Sequence, residues 1–289
     1  MSPWFLAARP KTLSAGVVPV LVGSALAFKA QSFHLGIFLT CLVGSLALQI
    51  ASNFINDASD FLRGADTEER VGPLRMAQAG LISPKALYIG AGLCFLIATL
   101  CGIYLTLQAG WIILLIGLLS IICATAYTAG PFPLAYYGLG DLFVLIFFGL
   151  AAVCGTYFAH ALKFDSLVFI SALIVGFHAT GILIVNNTRD IEQDKKVNKM
   201  TLCVRLGLMN SKLYYIFLVT LSYLLIFHLA FELKSFWPLL TLLASPLAFF
   251  NIRKIQKAQR GEDYNLLLAS TAKHQILFAL LFSLSLALS

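Results

Sequence analysis

Apolar residues in this chain come in long uniform runs separated by short polar stretches. Nine runs approach or exceed the roughly 20 residues that carry a helix across the hydrocarbon of a bilayer. They cover 13–31, 34–55, 86–108, 110–128, 139–162, 166–186, 213–232, 235–252 and 266–288. None shows the two-residue alternation of a barrel strand, so the pattern predicts an all-α polytopic membrane protein, a bundle of nine transmembrane helices. The last run is interrupted by Lys273 and His274. Two readings stand for them: they line an internal space, or they snorkel to its edge. The first run follows Arg9 and Lys11 and resembles a signal segment. No small-residue cleavage site leads into a soluble chain, so it reads as a retained helix.

Composition agrees. Hydrophobic residues make up 60% of the chain, charged residues 11%, and the mean hydropathy is +0.88. Placing the N-terminus in the cytoplasm leaves only Lys29, Lys163 and Lys234 outside and gathers the other bases, apart from Lys273 within the last run, inside, as the positive-inside rule requires. The net charge of +7 then faces anionic lipid and calls for no nucleic acid. The polar work is then expected on the cytoplasmic side of the membrane. The six cysteines show no paired spacing and read as small hydrophobes within the spans.

The acids are the informative residues. Of thirteen, only Asp165 and Glu232 fall outside. The cytoplasmic ones gather after the second run (Asp57, Asp60, Asp66, Glu68, Glu69) and after the sixth (Asp190, Glu192, Asp194). The two clusters open with related text, NFINDASD at 53–60 and NNTRDIEQD at 186–194, about 134 residues apart. That offset suggests one membrane domain over 1–289 built from two pseudo-repeat halves, about 1–135 and 136–289. On a helix, Asn53, Asn56, Asp57 and Asp60 fall within about a third of the circumference. Asp190 and Asp194 share a face with Asn186 and Asn187 by the same spacing. Gly64 is the expected helix stop, which leaves Asp66 in the loop.

Stacked carboxylates beside hydrocarbon repel one another and are costly. A hard divalent cation offsets that cost, and Mg²⁺ typically binds one or two carboxylates together with substrate phosphates. Arg63, Arg70, Arg75, Arg189, Lys195, Lys199 and Arg205 suit a polyphosphate. Two acidic ridges with a basic rim at a membrane surface therefore describe a Mg²⁺–diphosphate site. Glu68, Glu69, Glu262 and Asp263 read instead as a solvated rim. A secondary transporter is the rival class, but its ionisable groups belong near the bilayer midplane, where these spans are nearly uncharged.

Four stretches in order carry a family resemblance: RPKTL at 9–13, NDASDFLRGAD at 56–66 continued by GPLRMAQAG at 72–80, YTAGPFPLAYYGLGDLFVLIFFG at 127–149, and NNTRDIEQDKKVNKMTLCVRLG at 186–207. The chain resembles the UbiA superfamily of intramembrane prenyltransferases, and within it the branch that prenylates dihydroxynaphthoates in menaquinone biosynthesis. The resemblance implies nine helices around a central cavity open sideways to lipid. It implies Mg²⁺ held by the two aspartate motifs, with Asn56, Asp60, Asp190 and Asp194 as ligands and Asp57 in support. Gly64 stands at the last position of the superfamily's first motif, with Asp66 two residues on as a further metal candidate. The implied reaction moves a polyprenyl group from its diphosphate to 1,4-dihydroxy-2-naphthoate with loss of CO₂. A different acceptor, 1,4-dihydroxy-6-naphthoate or 4-hydroxybenzoate, is the alternative within the superfamily. Arg63, Arg75, Arg189, Lys195 and Lys199 are the diphosphate candidates. The 127–149 stretch supplies the acceptor candidates Tyr127, Tyr136, Tyr137 and Asp141. Tyrosines at an interface also serve as anchors, and Asp141 at a helix start also suits a cap.

Overall fold

The computed structural model describes residues 2–65, 71–259 and 261–289. The described residues are helical with no strand. Helices α1 (Pro3–Ala7) and α2 (Ser14–Lys29) form a pair bent by 50°. α3 (Leu35–Leu62), α4 (Pro84–Ala109) and α5 (Trp111–Ala126) follow. The second half holds α6 (Gly140–Ala161), α7 (Ser166–Arg189), α8 (Ile191–Lys196), α9 (Leu202–Glu232), α10 (Ser245–Lys257) and α11 (Gly261–Leu288). Among the described residues, six helices are long and apolar enough to cross a membrane, seven when the bent pair counts as one span. The protein is therefore multi-pass. α5 and α10 lie where two further spans were expected but are shorter, with 16 and 13 residues.

Local chemistry fixes the helix starts. Ser83 accepts a hydrogen bond from the Ala86 N–H with Pro84 at the first helical position, and Asp165 and Thr201 cap α7 and α9 in the same way. These bonds satisfy N–H groups that have no partner inside the helix. Two boundaries differ from the apolar pattern. α3 runs on to Leu62, carrying its acids within the helix before Gly64 ends it at φ 71. α9 begins at Leu202 and kinks at Gly207, φ 76, so the helix starts ahead of the apolar stretch, which begins only beyond the kink.

α7 is the central helix: 78% of its span is buried, against 17% for α4. It packs on α6, α9 and α11, while α3 packs along α4 and against α2. The outward side chains of α4, among them Ile89, Leu93, Leu96 and Leu100, are exposed, as a lipid-facing surface requires. α6 is wound as a π-helix over Leu145–Cys154. Its Gly149 meets Gly176 of α7 so closely that a Cβ would stand 2.8 Å from the Gly176 Cα. One flank of α6 is thereby fixed to α7, and the other, with Phe143, Phe147, Phe148 and Ala151, faces an internal cavity.

Candidate active site

The C-terminal end of α3 carries four polar side chains that do four different jobs. Asn53 Nδ2 donates to the Ala8 carbonyl at 2.9 Å and to Thr12 Oγ1 at 3.2 Å, tying the α1–α2 bend to α3. Asn56 Oδ1 accepts from Thr128 Oγ1 at 2.6 Å. Asp57 is buried and turns away from the cavity. Its two oxygens accept from the backbone N–H groups of Met76 (3.0 Å) and Ala77 (3.1 Å). Asp57 thus supports a neighbouring turn rather than offering oxygens to the cavity. The turn it anchors carries Arg75, whose guanidinium reaches the Asp60 carboxylate at 3.5 Å.

The second cluster is built differently from the expected single face. α7 ends at Arg189, Asp190 leaves helical geometry (φ −97°, ψ 7°), and α8 begins at Ile191. Asp190 and Asp194 therefore do not share one continuous helix. The break follows from Arg189, whose guanidinium holds both Asp190 oxygens at 2.7 Å and also bonds Asn186 and Asn265 at 2.9 Å. Arg189 is thereby committed to positioning Asp190 and the end of α11.

The clusters meet at Lys199. Its ammonium lies 3.7 Å from Asp60 Oδ2 and 3.6 Å from Asp194 Oδ1. Gln193 Nε2 adds a bond to the Ala65 carbonyl at 2.7 Å. Tyr136 completes the junction: its hydroxyl donates to Asp60 Oδ1 at 3.1 Å, and its ring lies within 5.5 Å of both the Lys199 and Arg63 cations. Burial first, then the Asp60 charge and hydrogen bond, push the Tyr136 phenol far above its ordinary range, so it stays a neutral donor.

From this junction a cavity of about 340 Å³ runs into the bundle. Asn56, Asp60, Arg75, Asn187 and Lys199 line its polar end, and Leu105, Ile113, Ile116, Phe143 and Phe147 its apolar end. Such a combination of apolar walls and a few convergent polar groups marks ligand sites. Tyr127 and Thr128 lie on the wall between. A Cβ on Gly140 would stand 2.9 Å from the Tyr127 hydroxyl, so the absent side chain at 140 makes room for that phenol.

Other candidates lie off the cavity wall. Tyr137 is 50% exposed, and its carbonyl accepts from Arg205. Lys195 is exposed on α8. Arg63 is exposed and donates to the Gly130 carbonyl at 2.6 Å. Asp141 does not cap α6; its carboxylate is buried and neither oxygen has a hydrogen-bond partner on another described residue. Lys273 is exposed, and buried His274 is paired with the Tyr223 hydroxyl at 3.0 Å, so neither lines the cavity. Asp66 and Arg70 lie outside the described residues. Arg9, Thr12, Thr128 and Gln49, which spacing did not single out, do line it.

The UbiA prenyltransferase family model matches residues 16–284. The 1,4-dihydroxy-2-naphthoate octaprenyltransferase of Haemophilus influenzae is 38% identical, over 98% of this chain and 95% of that protein. The Escherichia coli protein of the same name is 36% identical, over 99% and 95%. Among solved structures, a UbiA homologue from Archaeoglobus fulgidus bound to GPP and Mg²⁺ superposes with a TM-score of 0.73 over the whole of both chains, at 16% identity. The cavity, with Asp60, Arg75 and Lys199 at its polar end, is thus set in a fold shared with these proteins, and the chain belongs to the UbiA prenyltransferase family.

Proposed function

We propose that this protein transfers a polyprenyl group from polyprenyl diphosphate to 1,4-dihydroxy-2-naphthoate, with loss of CO₂, as a step of menaquinone biosynthesis. The carrying observation is the junction of Asp60 and Asp194 on one ammonium at the polar end of a cavity whose other end is apolar. The naphthoate acceptor is supported by full-length relatives of that name at 38% and 36% identity. The charge asymmetry supports a cytoplasmic N-terminus and a cytoplasmic site in the bacterial inner membrane.

In the balanced reaction the C1–O bond of the allylic diphosphate breaks and its electron pair leaves with the diphosphate. The carboxylate-bearing ring carbon forms the new C–C bond. The bond to CO₂ then breaks, and its electrons restore the aromatic ring. The residues divide this work. Arg75 and Lys199 neutralise the departing diphosphate, with Arg63 and Lys195 at the rim. Asp57 sets the turn that carries Arg75. Tyr127, with Thr128, faces the acceptor across the cavity, Tyr136 donates to Asp60, and the apolar walls keep water from the allylic cation.

Mg²⁺ fits this donor set. Asp60 and Asp194 present hard oxygens around a position where one cation already lies within 3.7 Å of both. Asn56 and Asp190 would complete the ligands, Asp190 shared with Arg189, and Asp66 is a further candidate. When bound, the ion supplies Lewis-acid stabilisation of the leaving diphosphate.

The test is reconstitution in liposomes with polyprenyl diphosphate, Mg²⁺ and each candidate acceptor, with the prenylated product and CO₂ measured. Wild type is expected to prefer 1,4-dihydroxy-2-naphthoate and to stop with EDTA, Asp60→Ala or Asp194→Ala. Preference for 4-hydroxybenzoate or for 1,4-dihydroxy-6-naphthoate would reject the acceptor. Transfer that survives EDTA and both substitutions would reject the site.

A further inference from the structure

Arg9 stands in a backbone conformation that few arginines adopt. Its φ of 52° and ψ of 70° place it in the left-handed region, which costs a non-glycine residue roughly 1 kcal/mol or more. The surrounding structure holds it there. The Arg9 carbonyl accepts from the Thr12 N–H at 2.8 Å and from the Thr12 hydroxyl at 3.0 Å. Asn53 of α3 grips the residues on either side, through the Ala8 carbonyl and the Thr12 hydroxyl. The Arg9 guanidinium in turn reaches the Asn53 carbonyl at 3.4 Å. The result is a cationic side chain on the cavity wall together with Thr12, Asn53, Asn56, Tyr127 and Thr128.

Position separates this cation from those at the mouth. Arg75 and Lys199 meet at Asp60. Arg9 is pinned to Asn53, two helical turns away along α3, or about 10 Å at the rise of an α-helix. The acceptor is itself an anion, because its ring carries a carboxylate on the carbon that is alkylated. A site edged by Asp60 and Asp194 repels such a ligand unless a positive group receives it. A planar guanidinium matches a carboxylate with two parallel hydrogen bonds. We infer that Arg9 is the recognition residue for the acceptor's carboxylate, and that the strained Arg9–Thr12 turn exists to present it. This inference rests on the naphthoate reading above.

The test compares acceptors with and without the charge. Initial rates are measured on the full-length protein at saturating geranyl diphosphate and Mg²⁺, for 1,4-dihydroxy-2-naphthoate. The inhibition constant of 1,4-dihydroxynaphthalene, which lacks the carboxylate, is measured beside it. Arg9→Gln is expected to raise the naphthoate KM at least tenfold. It should leave the KM for the diphosphate and the diol's inhibition constant within twofold. Arg9→Lys should recover part of the loss, because the charge returns without the fork. The turn should survive either change, since its hydrogen bonds use the Arg9 backbone. Should Arg9→Gln fail to fold, the methyl ester of the naphthoate binding the wild type at least tenfold more weakly than the acid would carry the same conclusion. Equal weakening of naphthoate and diol, an effect confined to the diphosphate KM, or ester and acid binding alike would overturn it. Wild type that turns over only another acceptor would sink the naphthoate reading itself. Wild type that turns over the naphthoate while Arg9→Gln behaves like it would sink only the role of Arg9.

Discussion

Replacing Asp57 by alanine is expected to disable Arg75 without touching it. Asp57 spends both oxygens on the backbone N–H groups of Met76 and Ala77, at 3.0 and 3.1 Å, in a site only 1% exposed. A hydrogen bond to a charged acceptor is worth about 1.5–3 kcal/mol net, and the truncation also leaves two buried donors unsatisfied. The expected cost is therefore at least about 3 kcal/mol, a fall in Tm of about 6 °C or more on the scale of large domains. Asp57→Asn keeps one acceptor and should lose about half of that. The freed turn also releases Arg75 from its 3.5 Å approach to Asp60, and losing one preorganised donor at a reacting charge costs about 100-fold in kcat. The decisive assay is a double-mutant cycle in kcat/KM for the diphosphate. If Asp57 acts through Arg75, adding Asp57→Ala to Arg75→Gln should change the rate by less than about threefold, since coupled residues are not additive. Losses that multiply would refute this and make Asp57 a direct participant.

Three further outcomes are expected. Lys199→Met removes the cation shared by Asp60 and Asp194 and should lower Tm by an amount corresponding to about 3 kcal/mol; added Mg²⁺ should raise the variant's Tm more than the wild type's, and equal shifts would separate the metal from these carboxylates. Tyr136 has its proton affinity raised by burial and by Asp60, so its contribution to stability is fully present below the unfolded phenol value of about 10 and is lost as pH rises above it; Tyr136→Phe should show a shallower decline in Tm between pH 9 and 11 (roughly the range around that value), and parallel curves would contradict the assignment. Gly140→Ala places a Cβ 2.9 Å from the Tyr127 hydroxyl and should raise the acceptor KM about tenfold, a cost of about 1.4 kcal/mol, with little change in Tm; the effect should vanish in a Tyr127→Phe background, and its persistence there would place the clash elsewhere.

The spacing of apolar runs located the helices, because lipid demands long uninterrupted apolar stretches with internally satisfied backbones. The acids were equally legible, since ionisable groups next to hydrocarbon are rare and conspicuous. Division of labour within the first cluster was not. Asn53, Asn56, Asp57 and Asp60 look alike at helical spacing, yet Asp57 faces the Met76–Ala77 backbone while Asp60 faces the cavity. Which partner each side chain meets depends on loops that return from elsewhere, and periodicity does not encode that. The break at Asp190 escaped the 3.6-residue pattern for the same reason: its carboxylate is drawn to Arg189, itself fixed by Asn265 of α11.

What the chain's order of residues determined alone was therefore its solvent, its helices, the two acidic ends and the chemistry they suit. Tertiary packing decided that Lys199 joins those ends, that Arg9 is turned onto the cavity wall, and that Tyr137 and Lys195 are left outside it. The first set follows from transfer free energies, which each segment carries by itself. The second follows from contacts between segments distant in sequence, whose energies exist only once the bundle has closed.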